Sequence, residues 1–308
     1  MRLDDYDDSI NVEDQRGSGG GGFPLGGGGG GGGFPLGLIL SLVGSRFGLV
    51  GVLLVGGAAL LLGGLPGLMG GGSESQIGGT PAYQTAPASG ESLKQACNVN
   101  AYSHESCNAL SSLDKTWKPL MAAQGVPFRA PKLVFYSRQG SSGCGAAQSA
   151  MGPFYCPSDQ GIYIDTDFYT ELDKKLGAGG DFARIYVIAH EFGHHIQKLT
   201  GTSDKVTQAQ RANPGAANAL SVRLELQADC YAGVWAARNR SRIEPGDVEE
   251  GLHAAHQIGD DTLMKSAGRT PVEAAFTHGS SAQRMAWLRK GLDSGDPAQC
   301  DTFATGAL

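Results

Sequence analysis

The chain carries the sequence IYVIAHEFGHHIQ at residues 185–197. It contains the pattern H-E-x-x-H, with His190 and His194 four residues apart and Glu191 between them. Residues four apart share one face of an α-helix, so both imidazoles can bind one Zn²⁺ ion and Glu191 can reach a nearby water molecule. The apolar run at 185–189 is typical of a buried helix. A chance match is the alternative. However, burying these histidine and glutamate side chains without a metal ion would cost free energy, because buried polar groups need partners.

A catalytic zinc ion needs a third protein ligand, and a downstream helical segment offers one. Glu225 and Asp229 stand four residues apart among apolar neighbours in the predicted helix at 216–239. Two carboxylates there are costly unless a metal ion or a hydrogen-bond donor meets them. We predict that Glu225 is the third zinc ligand and that Asp229 accepts a hydrogen bond from a zinc-binding histidine. The alternative is an exposed acidic face beside Arg223.

The remaining pattern predicts an α+β fold that is mostly helical and has a small β-sheet. Strands are predicted at 132–136 and 161–165. The second is expected to be an edge strand that pairs, near residues 162–165, with an extended substrate. Helices are predicted at 108–124, 181–199, 216–239 and 282–292, with shorter ones at 245–258 and 271–276.

The first 92 residues differ in composition from the rest of the chain. Residues 17–37 contain 14 of the 49 glycines and cannot bury enough apolar surface to fold, which predicts a disordered linker. The apolar segment at 38–69 is long enough to cross a bilayer, which takes about 20 residues. A signal peptide and a buried soluble helix are the alternatives. We predict a cytoplasmic segment at 1–37, a transmembrane helix at 38–69, a linker at 70–92 and a zinc metallopeptidase domain at 93–308.

Basic residues orient the predicted span. Arg2, Arg16 and Arg46 precede it, and the first basic residue after it is Lys94. Because positive charge favours the cytoplasmic side, the N-terminus is predicted to be cytoplasmic. The predicted localisation is therefore a single-pass protein of the cell inner membrane whose catalytic domain is periplasmic or extracellular.

All six cysteines follow the predicted span, which suggests disulfides in an oxidising compartment. A four-cysteine zinc site is the alternative, but the sequence has no C-x-x-C spacing. The net charge of −6 gives no reason to expect a nucleic-acid partner. Several pairings are possible, and the first hypothesis joins Cys97 to Cys107, Cys144 to Cys156 and Cys230 to Cys300.

The combined motifs resemble a known family. H-E-x-x-H followed by E-x-x-x-D on a second helix resembles the glutamate zincins, and the chain looks like the bacterial neutral zinc metallopeptidases that cross the membrane once. The resemblance implies a zincin-like fold, zinc as the cofactor and a protein or peptide substrate. The motifs that carry it are MRLDDYDDSINVEDQRG at the N-terminus, GPFYCP at 152–157, IYID at 162–165, HEFGHHIQ, ELQAD, IGDD at 258–261, FTHGSSAQR and SGDPAQCD.

The other histidines differ in their context. In related membrane zinc peptidases a Thr-His pair followed by an arginine lies near the metal. By that similarity, His278 is predicted to stabilise the oxyanion of the tetrahedral intermediate, although Gly279 stands where those relatives usually have proline. His195 follows a predicted ligand but points away from it, so we interpret it as structural. His253 and His256 can bind a metal, but packed or solvated histidines are commoner.

Together these features predict a membrane-anchored, zinc-dependent endopeptidase in which His190, His194 and Glu225 bind Zn²⁺. Glu191 is predicted to act as the general base. One alternative is a zinc-binding envelope scaffold or partner protein without catalysis, which the intact Glu191 disfavours because a structural zinc site needs no base. The other is a zinc amidase that acts on the cell wall. The sequence leaves the oligomeric state open.

Overall fold

Helices make up most of the fold, and a four-stranded sheet and a separate hairpin complete it. The computed structural model describes residues 1–4, 6–16, 90–174 and 176–307. The strands are β1 (Asn11–Asp14), β2 (Lys132–Tyr136), β3 (Gln139–Ser142), β4 (Gly145–Gln148), β5 (Phe154–Cys156) and β6 (Gly161–Asp165). The α-helices are α1 (Gly90–Cys97), α2 (Ala101–Ala123), α3 (Asp167–Lys174), α4 (Asp181–Leu199), α5 (Thr202–Ala212), α6 (Ala217–Arg238), α7 (Asp247–Gln257), α8 (Asp260–Ser266) and α9 (Ser281–Ser294).

The sheet has the strand order β1-β2-β6-β5. β1 and β2 pair in parallel, as do β2 and β6, whereas β5 pairs with β6 antiparallel. All five residues of β6 are buried, and β6 has a neighbouring strand on each side. The prediction that residues 162–165 form an edge strand is therefore wrong. β5 occupies that edge of the sheet. It has only three residues, which is too short for an alternating pattern to predict a strand.

The core of the fold is the packing of α4, α6 and α9. Fourteen of the 19 residues of α4 are buried, as expected for a helix enclosed by other elements. Gly193 allows its close contact with α6, because a Cβ at that position would lie 2.9 Å from the Cα and carbonyl oxygen of Ala228. Small residues serve the same purpose between α6 and α9, where a Cβ on Gly291 would overlap the carbonyl oxygen of Cys230.

Predicted and observed elements agree best where periodicity is strong. Both predicted strands and the helix at 181–199 have the predicted bounds. The helix predicted at 108–124 begins earlier, at Ala101, because the Asn100 side chain accepts a hydrogen bond from the Ser103 amide and caps it. The short helix predicted at 271–276 is wrong. Only the single 3₁₀ turn Glu273–Ala275 forms there, within a segment bounded by proline and glycine residues.

The disulfide hypothesis is confirmed, since all six cysteines are paired and no cysteine is free among the described residues. Disulfides are typical of proteins in oxidising compartments. The pairs are Cys97–Cys107, Cys144–Cys156 and Cys230–Cys300, with Cα–Cα distances of 5.9, 5.8 and 5.6 Å.

Residues 1–16, as far as they are described, fold together with the rest of the chain. β1 pairs with β2 and so extends the sheet. The Met1 ammonium group lies 2.9 Å from a carboxylate oxygen of Asp181 and 2.9 Å from one of Asp247, at the first residues of α4 and α7. Met1 itself is only 3% exposed. The N-terminal segment is therefore a structural part of the unit that contains α4.

The predicted fold class and localisation are corrected by two findings. In the part of the chain that the structure describes, no helix has both the length and the apolarity to cross a bilayer. The predicted transmembrane helix at 38–69 lies outside the described residues. The sequence interpretation also places residues 1–16 and 93–308 on opposite sides of the inner membrane, yet both contribute strands to one sheet. Strands joined by backbone hydrogen bonds lie on the same side of a membrane, so the predicted single-pass localisation is wrong.

The described residues form an α+β fold that is mostly helical and has a small sheet. The predicted domain boundaries after residues 37 and 69 lie outside the described residues. The boundary after residue 92 falls within α1.

Replacing Gly193 with alanine tests the close contact between α4 and α6. Alanine favours a helix over glycine by about 1 kcal/mol. The new Cβ would nevertheless press on the Ala228 backbone, so we expect a net loss of about 1–3 kcal/mol in the free energy of unfolding. Chemical denaturation followed by circular dichroism measures this loss. Gly215→Ala is the control, since the nearest atom to its Cβ is 3.5 Å away. Equal stability of both variants would contradict the close contact.

Candidate metal centre

Two helices bring the three predicted zinc ligands together. The His190 and His194 rings on α4 lie 4.9 Å apart between centroids. His190 Nε2 lies 3.1 Å from one carboxylate oxygen of Glu225 on α6, and His194 Nε2 lies 3.5 Å from the other. One ligand atom from each of the three residues lies within 4.8 Å of the others. His190 is buried and the other two are partly buried, so the cluster is a candidate metal centre.

A buried carboxylate orients His190 from behind. Asp229 is fully buried, and its Oδ1 lies 2.7 Å from His190 Nδ1. The same oxygen accepts a hydrogen bond of 2.6 Å from the Tyr186 hydroxyl. Arg284 on α9 donates two further hydrogen bonds of 2.9 Å, one to each oxygen of Asp229. Because an ionised carboxylate only accepts, His190 donates from Nδ1, and its Nε2 is left to bind a metal.

Opposite charges set the protonation states of Asp229 and His190. Burial raises the pKa of Asp229, but Arg284 and His190 outweigh burial and lower the pKa to about 2. Burial lowers the pKa of His190, but Asp229 and Glu225 outweigh it and raise the pKa to about 10. The carboxylates therefore hold a proton on His190 when no metal is bound. The same negative potential favours a divalent cation, whose binding displaces that proton.

A buried glutamine orients His194, and the sequence analysis did not find it. Gln197 Oε1 lies 2.9 Å from His194 Nδ1. The Gln197 amide nitrogen donates to the carbonyl oxygen of Leu224 at 2.7 Å and to Gln227 Oε1 at 3.1 Å. Gln197 therefore links α4 to α6 beside Glu225 and turns His194 Nε2 towards the cluster. The available signal was its spacing, because residues three apart on a helix are neighbours.

Glu191 lies beside the cluster without joining it. It is 8% exposed, and its carboxylate is not among the three clustered ligands. Its place on α4, next to His190, nevertheless keeps it close to both histidines, and its negative charge acts on His194. A carboxylate beside a metal centre that is not itself a ligand is free to accept a proton.

His278 lies near the cluster and is held there by Asp260. The backbone amides of Thr277, His278 and Gly279 donate to one oxygen of Asp260, at 2.7, 2.7 and 3.1 Å. The other oxygen lies 3.2 Å from His278 Nδ1. Burial lowers the pKa of His278, but Glu225 and Asp260 outweigh burial and raise it. Protonation leaves an N–H on Nε2 that can donate to a ligand, and Asp260 is a second site residue that the sequence analysis did not assign.

The donor set fits Zn²⁺. Two imidazoles and one carboxylate form one of the recurring ligand sets of catalytic zinc sites, which leave a fourth position for water or substrate. Zinc-binding imidazoles usually donate their second N–H to a carboxylate or carbonyl oxygen. In this chain the oxygens of Asp229 and Gln197 receive them.

The remaining polar clusters do not extend this site. His253 Nε2 lies 3.1 Å from the carbonyl oxygen of Gly177, and His256 Nδ1 lies 3.4 Å from Gln257 Oε1, so the two histidines do not share a ligand. A second group of carboxylates consists of Asp181, Asp247 and Glu250. Asp181 and Asp247 form ion pairs with the Met1 ammonium group described above.

An H-E-x-x-H helix that faces a glutamate from a second helix defines the class of zinc-dependent metallopeptidases. The chain matches the family described as "Putative neutral zinc metallopeptidase" over residues 1–303, and it belongs to this family. "Uncharacterized protein YpfJ" of Escherichia coli strain K12 is 44% identical over 306 residues, which is 98% of this chain and 99% of that protein. "Uncharacterized protein Rv2575" of Mycobacterium tuberculosis strain H37Rv is 44% identical over 212 residues, 64% of this chain and 69% of that protein. No solved structure matches the chain.

Single alanine substitutions test the ligand set. Each of His190→Ala, His194→Ala and Glu225→Ala removes one of three ligands, so bound zinc should fall far below the level of about one ion per chain expected for the wild type. Elemental analysis after dialysis measures the zinc content. His256→Ala is the control and should keep its zinc. A Glu225→Ala protein with full zinc content would contradict the assignment of the third ligand.

Proposed function

We propose that this protein is a zinc-dependent endopeptidase that hydrolyses peptide bonds. The observation that carries the proposal is the convergence of His190, His194 and Glu225 within 4.8 Å of one another. Glu191, which is not one of the clustered ligands, follows His190 on α4, and its charge acts on His194. A purely structural zinc site is normally closed by four protein ligands and needs no neighbouring base. Three clustered ligands and a free carboxylate instead suit hydrolysis.

The chain's own residues divide the chemistry between them. Zinc, when bound by the three ligands, supplies a Lewis acid that polarises a carbonyl and lowers the pKa of a water molecule to about 7. Glu191 takes the proton from the water that attacks the scissile carbonyl and passes it to the leaving amine. Asp229 and Gln197 keep both imidazoles in the tautomer that binds the metal.

His278 stabilises the charge that develops on the carbonyl oxygen. The Asp260 carboxylate accepts from Nδ1, so a protonated His278 presents Nε2–H as a donor. The raised pKa of His278 favours this protonated form. Arg284, by contrast, is occupied by Asp229 and acts by holding that carboxylate in place.

The substrate is a protein or peptide that binds in an extended conformation along β5. In the part of the chain that the structure describes, β5 pairs only with β6, so one of its backbone edges is open. Extended peptides commonly add to such edges through main-chain hydrogen bonds. Backbone recognition of this kind suits an enzyme that cleaves within chains.

Glu191→Gln separates catalysis from metal binding and folding. Glutamine keeps the size of the side chain but cannot take a proton from water. The variant should therefore keep its zinc and its unfolding free energy while hydrolysis of a casein or peptide substrate falls by about 10²–10⁴-fold. Zinc analysis, chemical denaturation and a fluorogenic peptide assay provide the three measurements.

Glu171→Gln is the matched control, since Glu171 lies on α3 and outside the cluster. It should hydrolyse the substrate as the wild type does. If Glu191→Gln restores the phenotype of a deletion strain as fully as the wild-type chain, catalysis is not what the cell uses. The scaffold interpretation would then replace the peptidase.

Substitutions of His278 and Asp260 test the oxyanion role. His278→Ala should reduce kcat by about 10²–10³-fold, with KM and zinc content little changed, because the lost hydrogen bond forms mainly in the transition state. Asp260→Asn removes a charge that raises the pKa of His278. Activity that needs protonated His278 should therefore be lost at a lower pH in Asp260→Asn than in the wild type. A pH–rate profile that does not move would contradict this role.

A further inference from the structure

His195 follows a zinc ligand on α4, yet its ring faces the sheet and not the metal centre. The ring is fully buried. Its Nδ1 lies 3.0 Å from the hydroxyl of Tyr155 on β5, and its Nε2 lies 2.6 Å from the carbonyl oxygen of Arg129. His195 therefore joins three segments: the metal-binding helix, the edge strand and the loop that leads into β2.

Its partners determine where the protons lie. A backbone carbonyl only accepts, so His195 Nε2 donates to Arg129. In the neutral ring Nδ1 is then left to accept, and it lies 3.0 Å from the Tyr155 hydroxyl. Burial raises the pKa of Tyr155, so its hydroxyl keeps its proton and donates to Nδ1. The contact is thus a directed hydrogen bond with one arrangement of protons.

This hydrogen bond joins the two elements whose relative position matters for a peptide substrate. Tyr155 is the middle residue of β5 and pairs with Ile162 on β6. Its side chain reaches α4 one residue beyond His194. A shift of β5 along or away from α4 would move a paired peptide relative to the metal ligands. Displacements of about 1 Å at a reacting centre can cost about 10²-fold in rate.

We propose that His195 is a positioning residue, whose hydrogen bond to Tyr155 aligns β5 with α4 and so governs the productive binding of extended peptides. The inference rests on the proposed peptidase function. It predicts that the loss of this hydrogen bond affects long peptides more than short ones. A long peptide pairs along β5 and uses the alignment, whereas a blocked dipeptide reaches only the residues around the scissile bond.

Ordinary core packing is the competing explanation, since the His195 ring also contacts aromatic rings. Its centroid lies 5.7 Å from that of Phe192 and 6.4 Å from that of Phe128. Two substitutions separate packing from hydrogen bonding. Tyr155→Phe removes only the hydroxyl and keeps the ring. His195→Gln keeps an amide donor near the Arg129 carbonyl and removes the imidazole acceptor.

The experiment compares wild type, Tyr155→Phe, His195→Gln and the double variant on a peptide of about eight residues and on a blocked dipeptide. For the long peptide, kcat/KM should fall about ten-fold, mainly through KM. For the dipeptide it should change by less than about two-fold. The double variant should be no worse than the poorer single variant, because both changes remove the same bond. Zinc content should stay at the wild-type level throughout.

Binding gives a readout that needs no turnover. In the Glu191→Gln background, Tyr155→Phe should raise the Kd for the long peptide about ten-fold. Tyr163→Phe is the matched control. It removes a tyrosine hydroxyl from the neighbouring strand β6, but that hydroxyl donates to Asp159 and does not touch α4. The control should bind and cleave both substrates as the wild type does.

The outcomes distinguish the two proposals. Equal losses on the long and short substrates, additive losses in the double variant, or loss of zinc would show that His195 is only a packing residue and would overturn the inference. If the wild-type protein cleaves neither substrate while it holds zinc, the peptidase function itself fails, and the inference fails with it.

Discussion

The buried carboxylate of Asp229 is the group on which the arrangement of the site depends. It receives hydrogen bonds from His190 and Tyr186 on α4 and from Arg284 on α9, while it belongs to α6 itself. An isolated carboxylate at this depth would favour its neutral form, because burial opposes charge. Breaking such a buried pair by removing one partner typically costs about 3–5 kcal/mol. The bonds that orient His190, a candidate metal ligand, are therefore also the bonds that join three helices.

Close backbone contacts make this arrangement possible. Gly193 lies inside the metal-binding motif, and its missing side chain lets α4 approach the Ala228 backbone of α6. Glu225 lies one turn before Asp229, so the same approach brings its carboxylate to His190 and His194. Gly291 likewise allows α9 to pack closely against the backbone of Cys230 on α6. The glycines thus determine how far each functional side chain has to reach.

The negative charge of the cluster explains why the site suits a cation. Glu225 and Asp229 act together on His190 and raise its pKa to about 10, although burial alone would lower it. In the absence of metal, the proton on His190 compensates the negative charge of those carboxylates. A divalent cation that binds there displaces this proton and leaves the imidazoles neutral. His195, one residue beyond the cluster, lacks such a carboxylate, and burial keeps it neutral, which suits a role in joining helix to sheet.

Local periodicity allowed several features to be predicted from the sequence alone. The helical spacing of His190 and His194, the bounds of α4, and the strands at 132–136 and 161–165 each follow from residues near one another in the chain. The neighbouring positions of Glu225 and Asp229 indicated a second helix with a charged face in an apolar setting. Each of these features is a property of a single element, so its pattern is complete within one stretch of sequence.

Only the tertiary structure decided which elements meet. The pairing of residues 11–14 with β2 overturned the membrane topology that hydropathy suggested, and the position of β5 moved the open sheet edge away from β6. Gln197 and Asp260 were linked to other segments of the chain by contacts that the pattern of a single element does not show. Some of these contacts join residues that are distant in the chain. Others involve polar residues whose sequence context resembles that of ordinary surface residues. They arise from packing, and packing depends on the shapes of all the elements together, whereas helix and strand periodicity depends on each element alone.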